Sequence, residues 1–175
     1  MKSEKVIICG QSGSGKDHLL RGLIKMGLNY HPKITTRPRR KLESQGIEYD
    51  FMTNEYFQEL LESNKIKVYQ HFIINESDWY YAIDNNNFDD NQLFIMTPHE
   101  ISMLSIEDRK KCFIVYLDID ESIRRSRITR RNDNNDSINR RIEADKQDFK
   151  NFTEYDLRVT DPDFDVDMVY DLMYD

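Results

Sequence analysis

The stretch "KVIICGQSGSGKDHLLRGLIKM", Lys5 to Met26, limits what this chain can fold into more than any other part of it. A short apolar run ends at Gly10, a glycine-rich turn follows, and an amphipathic segment opens directly after it. Gly10, Gly15 and Lys16 satisfy the pattern G-x-x-x-x-G-K, in which backbone N–H groups cradle phosphate oxygens and the lysine reaches the terminal ones. Such a turn belongs between a strand and a helix, because the helix N-terminus supplies the partial positive charge that an anion needs. The spacing therefore predicts a strand over "KVIICG" and a helix over His18 to Met26. Leu19, Leu20, Leu23 and Ile24 fall on one face of that helix, and Gly27 ends it in a left-handed conformation. Gly10, Gln11, Ser12, Gly13, Ser14, Gly15, Lys16 and Asp17 form the expected ATP-binding loop.

Asp17 stands where such loops usually carry Ser or Thr, and two readings are open. A carboxylate in the first turn stabilises a helix by roughly 0.3 to 1 kcal/mol through the macrodipole. Alternatively it holds the magnesium of ATP, directly or through water, since a divalent cation reverses the repulsion between a carboxylate and phosphates. Mg2+ with ATP is the expected cofactor.

Two further apolar runs, "NQLFIM" and "CFIVYLDID", read as strands covered on both faces. Helices are expected over "TNEYFQELLESNK", with Thr53 as N-cap and Tyr56, Phe57, Leu60 and Leu61 on one face, and over "DESIRRSRITRR" and "DSINRRIEADKQDF", separated by the polar "NDNND". A last helix is expected over "VDMVYDLM", in a tail that carries six acids and no base from Asp161 onward. "DNNNFDDN", Asp84 to Asn91, reads as a solvated, mobile loop. Strand and helix alternate, which implies an α/β fold with a parallel sheet and helices on both faces.

The overall numbers exclude other classes. A chain of 175 residues, 38% hydrophobic, builds one packed domain. A net charge of −7 argues against a duplex nucleic-acid binder, so no nucleic-acid partner is expected and any anion site is local. Cys9 and Cys112 sit in apolar runs and read as buried core thiols, a usage that suits a reducing, cytoplasmic setting. The first apolar run is too short for a signal-peptide core, and none approaches the roughly 20 residues of a membrane span. His18, His31, His71 and His99 show no metal-ligand spacing.

Basic residues cluster twice in this acidic chain. "KITTRPRRKLESQGIEYDF" places Lys33, Arg37, Arg39, Arg40 and Lys41 ahead of Tyr49, a set that can grip phosphate through paired guanidinium hydrogen bonds and a phenol. Arg124, Arg125, Arg127, Arg130, Arg131, Arg140 and Arg141 straddle the "NDNND" turn. With a triphosphate loop in the same chain, these read as a helical lid that neutralises a transferring phosphoryl group.

In series, "GQSGSGKD", "TTRPRR", Glu43, "GIEYDF", "NEYFQELLESNKI", "WYYAI" and "DSINRRI" resemble a guanylate kinase over most of the chain. The resemblance implies a P-loop NTPase parallel sheet with flanking helices (residues 1–32, 84–123 and 143–175), a small acceptor-binding domain (33–83) and a helical lid (124–142). It implies ATP-dependent phosphorylation of GMP, dGMP or a related, even modified, nucleoside monophosphate by a monomer or homodimer. ATP and a small phosphorylated acceptor are the partners. Arg37, Arg40, Tyr49 and Tyr81 fall where the family grips the acceptor phosphate, and Arg130 and Arg141 fall on its lid arginines. Lys16, Arg37, Arg130 and Arg141 are accordingly the expected catalytic groups. Lys33, Arg37, Arg40, Glu43, Tyr49, Val68, Tyr81 and Thr97 are the expected acceptor contacts, and Asp17 is the expected metal ligand.

The departures gather on the nucleobase. Val68 stands in the place of the glutamate that pairs with guanine, Ile83 replaces a Ser or Thr, and only Thr97 is found where the family carries a strand-end aspartate. Unpaired guanine groups in a closed site cost on the order of 1 to 3 kcal/mol each. The segment between Val68 and Tyr81 is about four residues longer than usual, so Glu76 or Asp78 is a candidate to restore a carboxylate. The alternatives are a ribose 1,5-bisphosphate phosphokinase, which also carries "SGSGKD", and a non-catalytic guanylate-kinase-like module that binds phosphopeptides.

Overall fold

A computed structural model of the chain describes residues 4–41, 43–74, 76–130 and 138–174. β1 (Lys5–Gly10) is buried along its whole length and leads through the glycine turn into α1 (Lys16–Lys25). The helix thus opens two residues earlier than its apolar pattern indicates, at the loop lysine itself. It closes as expected: Gly27 has φ +97°, and the Leu28 N–H donates to the Leu23 carbonyl at 3.2 Å. Leu19, Leu20 and Leu23 are buried, whereas Ile24 is 40% exposed, because the helix packs on a narrower face than the sequence pattern offers.

The chain continues through β2 (Ile34–Thr35), β3 (Asp50–Phe51), α2 (Asn54–Glu62), β4 (Ile66–Ile74), β5 (Ser77–Asp84), α3 (Asn85–Asp90), β6 (Leu93–Ile95), α4 (Pro98–Ser102), α5 (Ile106–Lys110) and β7 (Cys112–Leu117). It ends with α6 (Glu121–Arg130), α7 (Ile138–Phe149), β8 (Leu157–Val159) and α8 (Val166–Tyr174). Arg131 and the "NDNND" turn of the expected lid lie outside the described residues.

Two sheets form. The first has the order β6-β1-β7-β8 and is parallel throughout. Side chains of β1 alternate between its faces: Val6 and Ile8 join Leu19, Leu23 and Val169 beneath α1 and α8, while Ile7 and Cys9 join Phe88, Phe94, Ile101 and Phe149 beneath α3, α4 and α7. Burial on both sides is why this strand is apolar at successive positions rather than alternately. The second sheet, β3-β2-β5-β4, lies entirely within residues 34–84 and rests on α2 through Phe57, Ala82, Tyr69 and Tyr80. In α2 the Thr53 hydroxyl accepts the Tyr56 N–H as a cap, Phe57 is fully buried, and Tyr56 faces outward at 51% exposure.

The stretch 84–91 is not a mobile loop. Asp84 caps α3 by accepting the Asn87 N–H at 2.7 Å, Asn87 donates its side-chain amide to the Pro32 carbonyl, and Phe88 is wholly enclosed against Phe94. One apolar residue in the right place outweighs the polar composition around it. The Lys5 ammonium completes the element by donating to the Phe88 and Asn91 carbonyls.

The extra residues between Val68 and Tyr81 lengthen the β4–β5 hairpin, in which Val68 pairs with Ile83, Gln70 with Tyr81 and Ile74 with Ser77. Glu76 lies at its tip with φ +62°, and Asp78 binds the His71 imidazole at 2.6 Å. At about 3.3 Å per residue, Asp78 sits roughly 16 Å along the strand from Ile83, too far to replace a carboxylate there.

Candidate active site

The turn after β1 is built as its glycines require. Gly13 has φ +78°, and a Cβ at that residue would lie 2.7 Å from the Arg124 carbonyl oxygen, so the loop and α6 approach backbone to backbone. Two α6 arginines fasten it from outside. Arg124, 3% exposed, donates to the Ile119 carbonyl at 2.9 Å and to the Ser12 carbonyl at 3.4 Å. Arg127 reaches the Gly13 carbonyl at 3.4 Å and the Pro162 carbonyl at 2.6 Å. Arg125 is tied to Glu121 and Asn139, so three of the seven arginines in the expected lid brace the structure, Arg127 while also lining the cleft beside the turn.

Lys16 curls back over the turn and donates to the Gly10 and Gln11 carbonyls at 2.7 and 3.0 Å. Burial lowers its pKa, opposed by the charges of Asp145 and Asp17. The Ser12 N–H donates to the Asp145 carboxylate of α7 at 2.8 Å. The Ser14 hydroxyl is buried and has no hydrogen-bond partner among the described residues. Beside the turn lies a cleft of about 260 Å³ lined by Gly13, Gly15, His18, Arg127, Arg130, Pro162 and Phe164. Arg130 thus lines the same cleft as Gly13 and Gly15, and Arg141 acts on Lys16 as a nearby positive charge.

A second anion-competent cluster is held by the smaller sheet. Arg37, 4% exposed, pairs with Glu43 at 2.7 Å, and its guanidinium lies 5.4 and 5.6 Å from the ring centres of Tyr49 and Phe51. Tyr49 and Tyr81 meet edge to face at 5.6 Å. Burial pushes the Tyr49 hydroxyl up to about 12, with the neighbouring Tyr81, Glu43 and Asp17 adding to the rise, so it remains a neutral donor near pH 7. The hydrogen bond from Arg37 holds the Glu43 carboxyl below its ordinary value. Burial alone would lower the Arg37 pKa, but Glu43 and Tyr81 outweigh it and the net shift is upward. Arg40 gives its backbone N–H to Glu43 at 2.8 Å and leaves its side chain exposed.

The positions expected to meet the nucleobase are apolar and closed. Val68 is fully buried and Ile83 is 2% exposed, both packed with Cys9, Phe88, Met96 and Ile101. Thr97 caps α4, and Glu100 reaches back to the Thr97 N–H at 2.8 Å. That capping box places a carboxylate one turn after Thr97, the position where the family resemblance implies a strand-end aspartate. Glu100, with no exposed surface, takes two hydrogen bonds from Lys33 at 2.5 and 2.7 Å. The signal was present as Thr97-Pro98-His99-Glu100, the T-x-x-E pattern of a capping box. Asp145 carries no comparable signal, since 133 residues separate it from Ser12. On β4, Gln70 shares the face of Tyr81 and has no side-chain hydrogen bond among the described residues. No group of three or more His, Cys, Asp or Glu side chains that could hold a metal ion occurs among the described residues. Within them, no helix is long and apolar enough to cross a membrane.

A family model described as guanylate kinase matches residues 2–172. Over 167 residues the chain is 28% identical to the guanylate kinase of Rickettsia felis, covering 91% of this chain and 86% of that protein. It is 28% identical over 176 residues to that of Vibrio cholerae, covering 94% and 83%. Among solved structures, guanylate kinase from Anaplasma phagocytophilum superposes with a TM-score of 0.63 at 16% identity, covering 99% of this chain and 84% of the other, a likeness of fold.

Proposed function

The chain belongs to the guanylate kinase family, and from that premise we propose that it transfers the γ-phosphoryl group of ATP to GMP, dGMP or a related nucleoside monophosphate. One observation supports the reading above others: the chain carries two separate cation-bearing clusters, Lys16 on the glycine turn and Arg37 beside Tyr49 and Tyr81. The Gly10–Asp17 loop with Lys16 takes the donor phosphates. Arg37, Tyr49 and Tyr81 take the acceptor phosphate, with Glu43 fixing the guanidinium. The division into a core, an acceptor domain over 33–83 and a lid over 124–142 follows from that assignment.

Chemistry then follows from charge. Lys16 exchanges the Gly10 and Gln11 carbonyls for phosphate oxygens, which need the cation more strongly as negative charge shifts in the transition state. Arg130 and Arg141 approach the same charge from the lid, and closing the lid excludes water. The cleft between Arg127, Arg130, Pro162 and Phe164 takes the adenine and ribose of the donor. A carboxylate at Asp17, on the phosphate loop, fits a hard divalent cation better than it fits bare phosphate, so Asp17 would hold magnesium directly or through water. Bound magnesium would neutralise the β- and γ-phosphate oxygens.

Lys33, Val68, Ile83, Thr97 and Glu100 stand where the acceptor base is read, and the first and last carry the only charges among them. A base is then read by a different polar set from the guanine-pairing one. A coupled ADP-release assay across the common ribo- and deoxyribonucleoside monophosphates and ribose 1,5-bisphosphate ranks the acceptors. Turnover with no acceptor, together with no ATP–magnesium binding, would favour the phosphopeptide-binding alternative. Asp17→Asn should raise the magnesium concentration for half-maximal activity without lowering thermal stability; an unshifted magnesium titration with a small loss of stability would leave Asp17 a helix-end charge.

A further inference from the structure

α7 presents Arg141 and Asp145 one turn apart, on the face that meets the phosphate loop. Asp145 accepts the Ser12 N–H at 2.8 Å while its side chain is only 17% exposed. The other side of the same residue is held too, since Arg124 binds the Ser12 carbonyl. Ser12 is therefore gripped between two helices, α6 at its carbonyl and α7 at its N–H. The Gly10–Asp17 loop is the element whose N–H groups bind phosphate oxygens, and here one of them is given to a carboxylate of the chain itself.

We propose that Asp145 is an internal stand-in for the nucleotide phosphate, which occupies the Ser12 N–H and must be displaced when a phosphate-bearing nucleotide enters. The inference rests on reading this loop as the ATP site. A single N–H proton cannot serve both oxyanions at full strength, and a carboxylate beside a phosphate repels it, so the two compete. A destination for the displaced group is at hand: the Arg124 guanidinium lies 3.9 Å from the same carboxylate oxygen. α7 is anchored one turn later by Phe149, stacked on Tyr116 at 5.6 Å, so the displacement we infer is one of the Asp145 side chain and not of the helix. Lys16 shares in the exchange, because Asp145 provides the largest of the charges that oppose its loss of a proton. While the stand-in occupies the loop, only the displaced fraction binds nucleotide, and the apparent Kd rises by the inverse of that fraction.

Calorimetric titration of the full chain with ATP, with and without magnesium, and with inorganic tripolyphosphate tests this. Asp145→Ala should bind ATP at least fivefold more tightly than the native chain. It should gain a similar factor for tripolyphosphate, which carries no base. Asp145→Asn, which keeps the shape and an acceptor oxygen but not the charge, should gain less; it remains available if the alanine variant does not fold. Unchanged affinity with a lowered melting temperature would make the contact structural and overturn the proposal. Weaker binding of ATP with magnesium would overturn it differently, by placing Asp145 among the groups that hold the bound nucleotide. If neither the native chain nor a variant binds ATP or tripolyphosphate, the proposal falls together with the kinase reading. Normal ATP binding without a gain removes the stand-in alone.

Discussion

Arg37 and Lys16 show how differently two cations of one chain can be held. Arg37 is buried, fixed by Glu43 and stacked near two aromatic rings, a preformed fork that changes little when a phosphate arrives. Lys16 is folded onto carbonyls that it would leave under the proposed reading. Lys16→Ala should therefore lower kcat by about 10²–10³, the scale for loss of one group that stabilises developing charge. Arg37→Ala should instead raise the acceptor KM with ATP affinity nearly unchanged. Calorimetric ATP binding and initial rates on the same two variants separate these outcomes, and equal losses for both ligands would remove the two-site assignment. Glu43 adds a pH signature. Its pKa is lowered in the folded state, so its pairing contributes stability above the ordinary glutamate range and loses it as pH falls through the folded value. The stability difference between the native chain and Glu43→Gln should be present at pH 7 and shrink below roughly pH 4.3, the unfolded reference. Denaturant midpoints across that window check it.

Secondary-structure elements differ in how openly the sequence declares them. β1 and β7 are legible because a strand buried on both faces must be apolar at successive positions. The phosphate loop is legible because its glycines have fixed roles. α3 is hidden: Asn85-Asn86-Asn87-Phe88-Asp89-Asp90 has the composition of a loop, and only the Asp84 cap and the enclosure of Phe88 make it a helix. Phe88→Ala should accordingly cost about 3–5 kcal/mol, as for a fully buried aromatic, and Asp84→Ala about 1 kcal/mol, as for a lost cap. Chemical denaturation of both variants gives the comparison, and equal small losses would return this stretch to a loop. The candidate site divides the same way. Arg37, Tyr49 and Tyr81 meet in space as their motif implies. Glu100 and Asp145 escape notice because one arrives by turning back over a helix cap and the other by long-range contact. Local patterns report local geometry, and tertiary contacts of this kind leave no trace in spacing.

At the scale of the whole molecule, two sheets are joined by an apolar seam, where Val68 and Ile83 meet Cys9 and Met96, and by the Lys33–Glu100 pair at its edge. Glu100→Gln removes one partner of a nearly buried pair, and the cost should fall toward the lower end of the roughly 3–5 kcal/mol typical of such losses, because Lys33 retains 16% exposure to water. Thermal melting of Glu100→Gln beside the double variant Glu100→Gln, Lys33→Met tests it. Recovery in the double variant is expected once neither charge is stranded; no recovery would mean that the carboxylate matters chiefly as the partner of Thr97.

The depth of that pair has a consequence for ionic strength. Dissolved salt screens charges that it can surround, over about 8 Å at 0.15 M, and a carboxylate with no exposed surface is largely beyond its reach. Exposed cations such as Arg40 have no such shelter. Rising potassium chloride should therefore loosen the share of the hold on phosphate that Arg40 supplies well before it loosens the seam between the sheets. At about 1 M the protein should still melt in one transition near its low-salt temperature while its affinity for phosphorylated ligands has dropped, so the fold survives in a brine that weakens its chemistry.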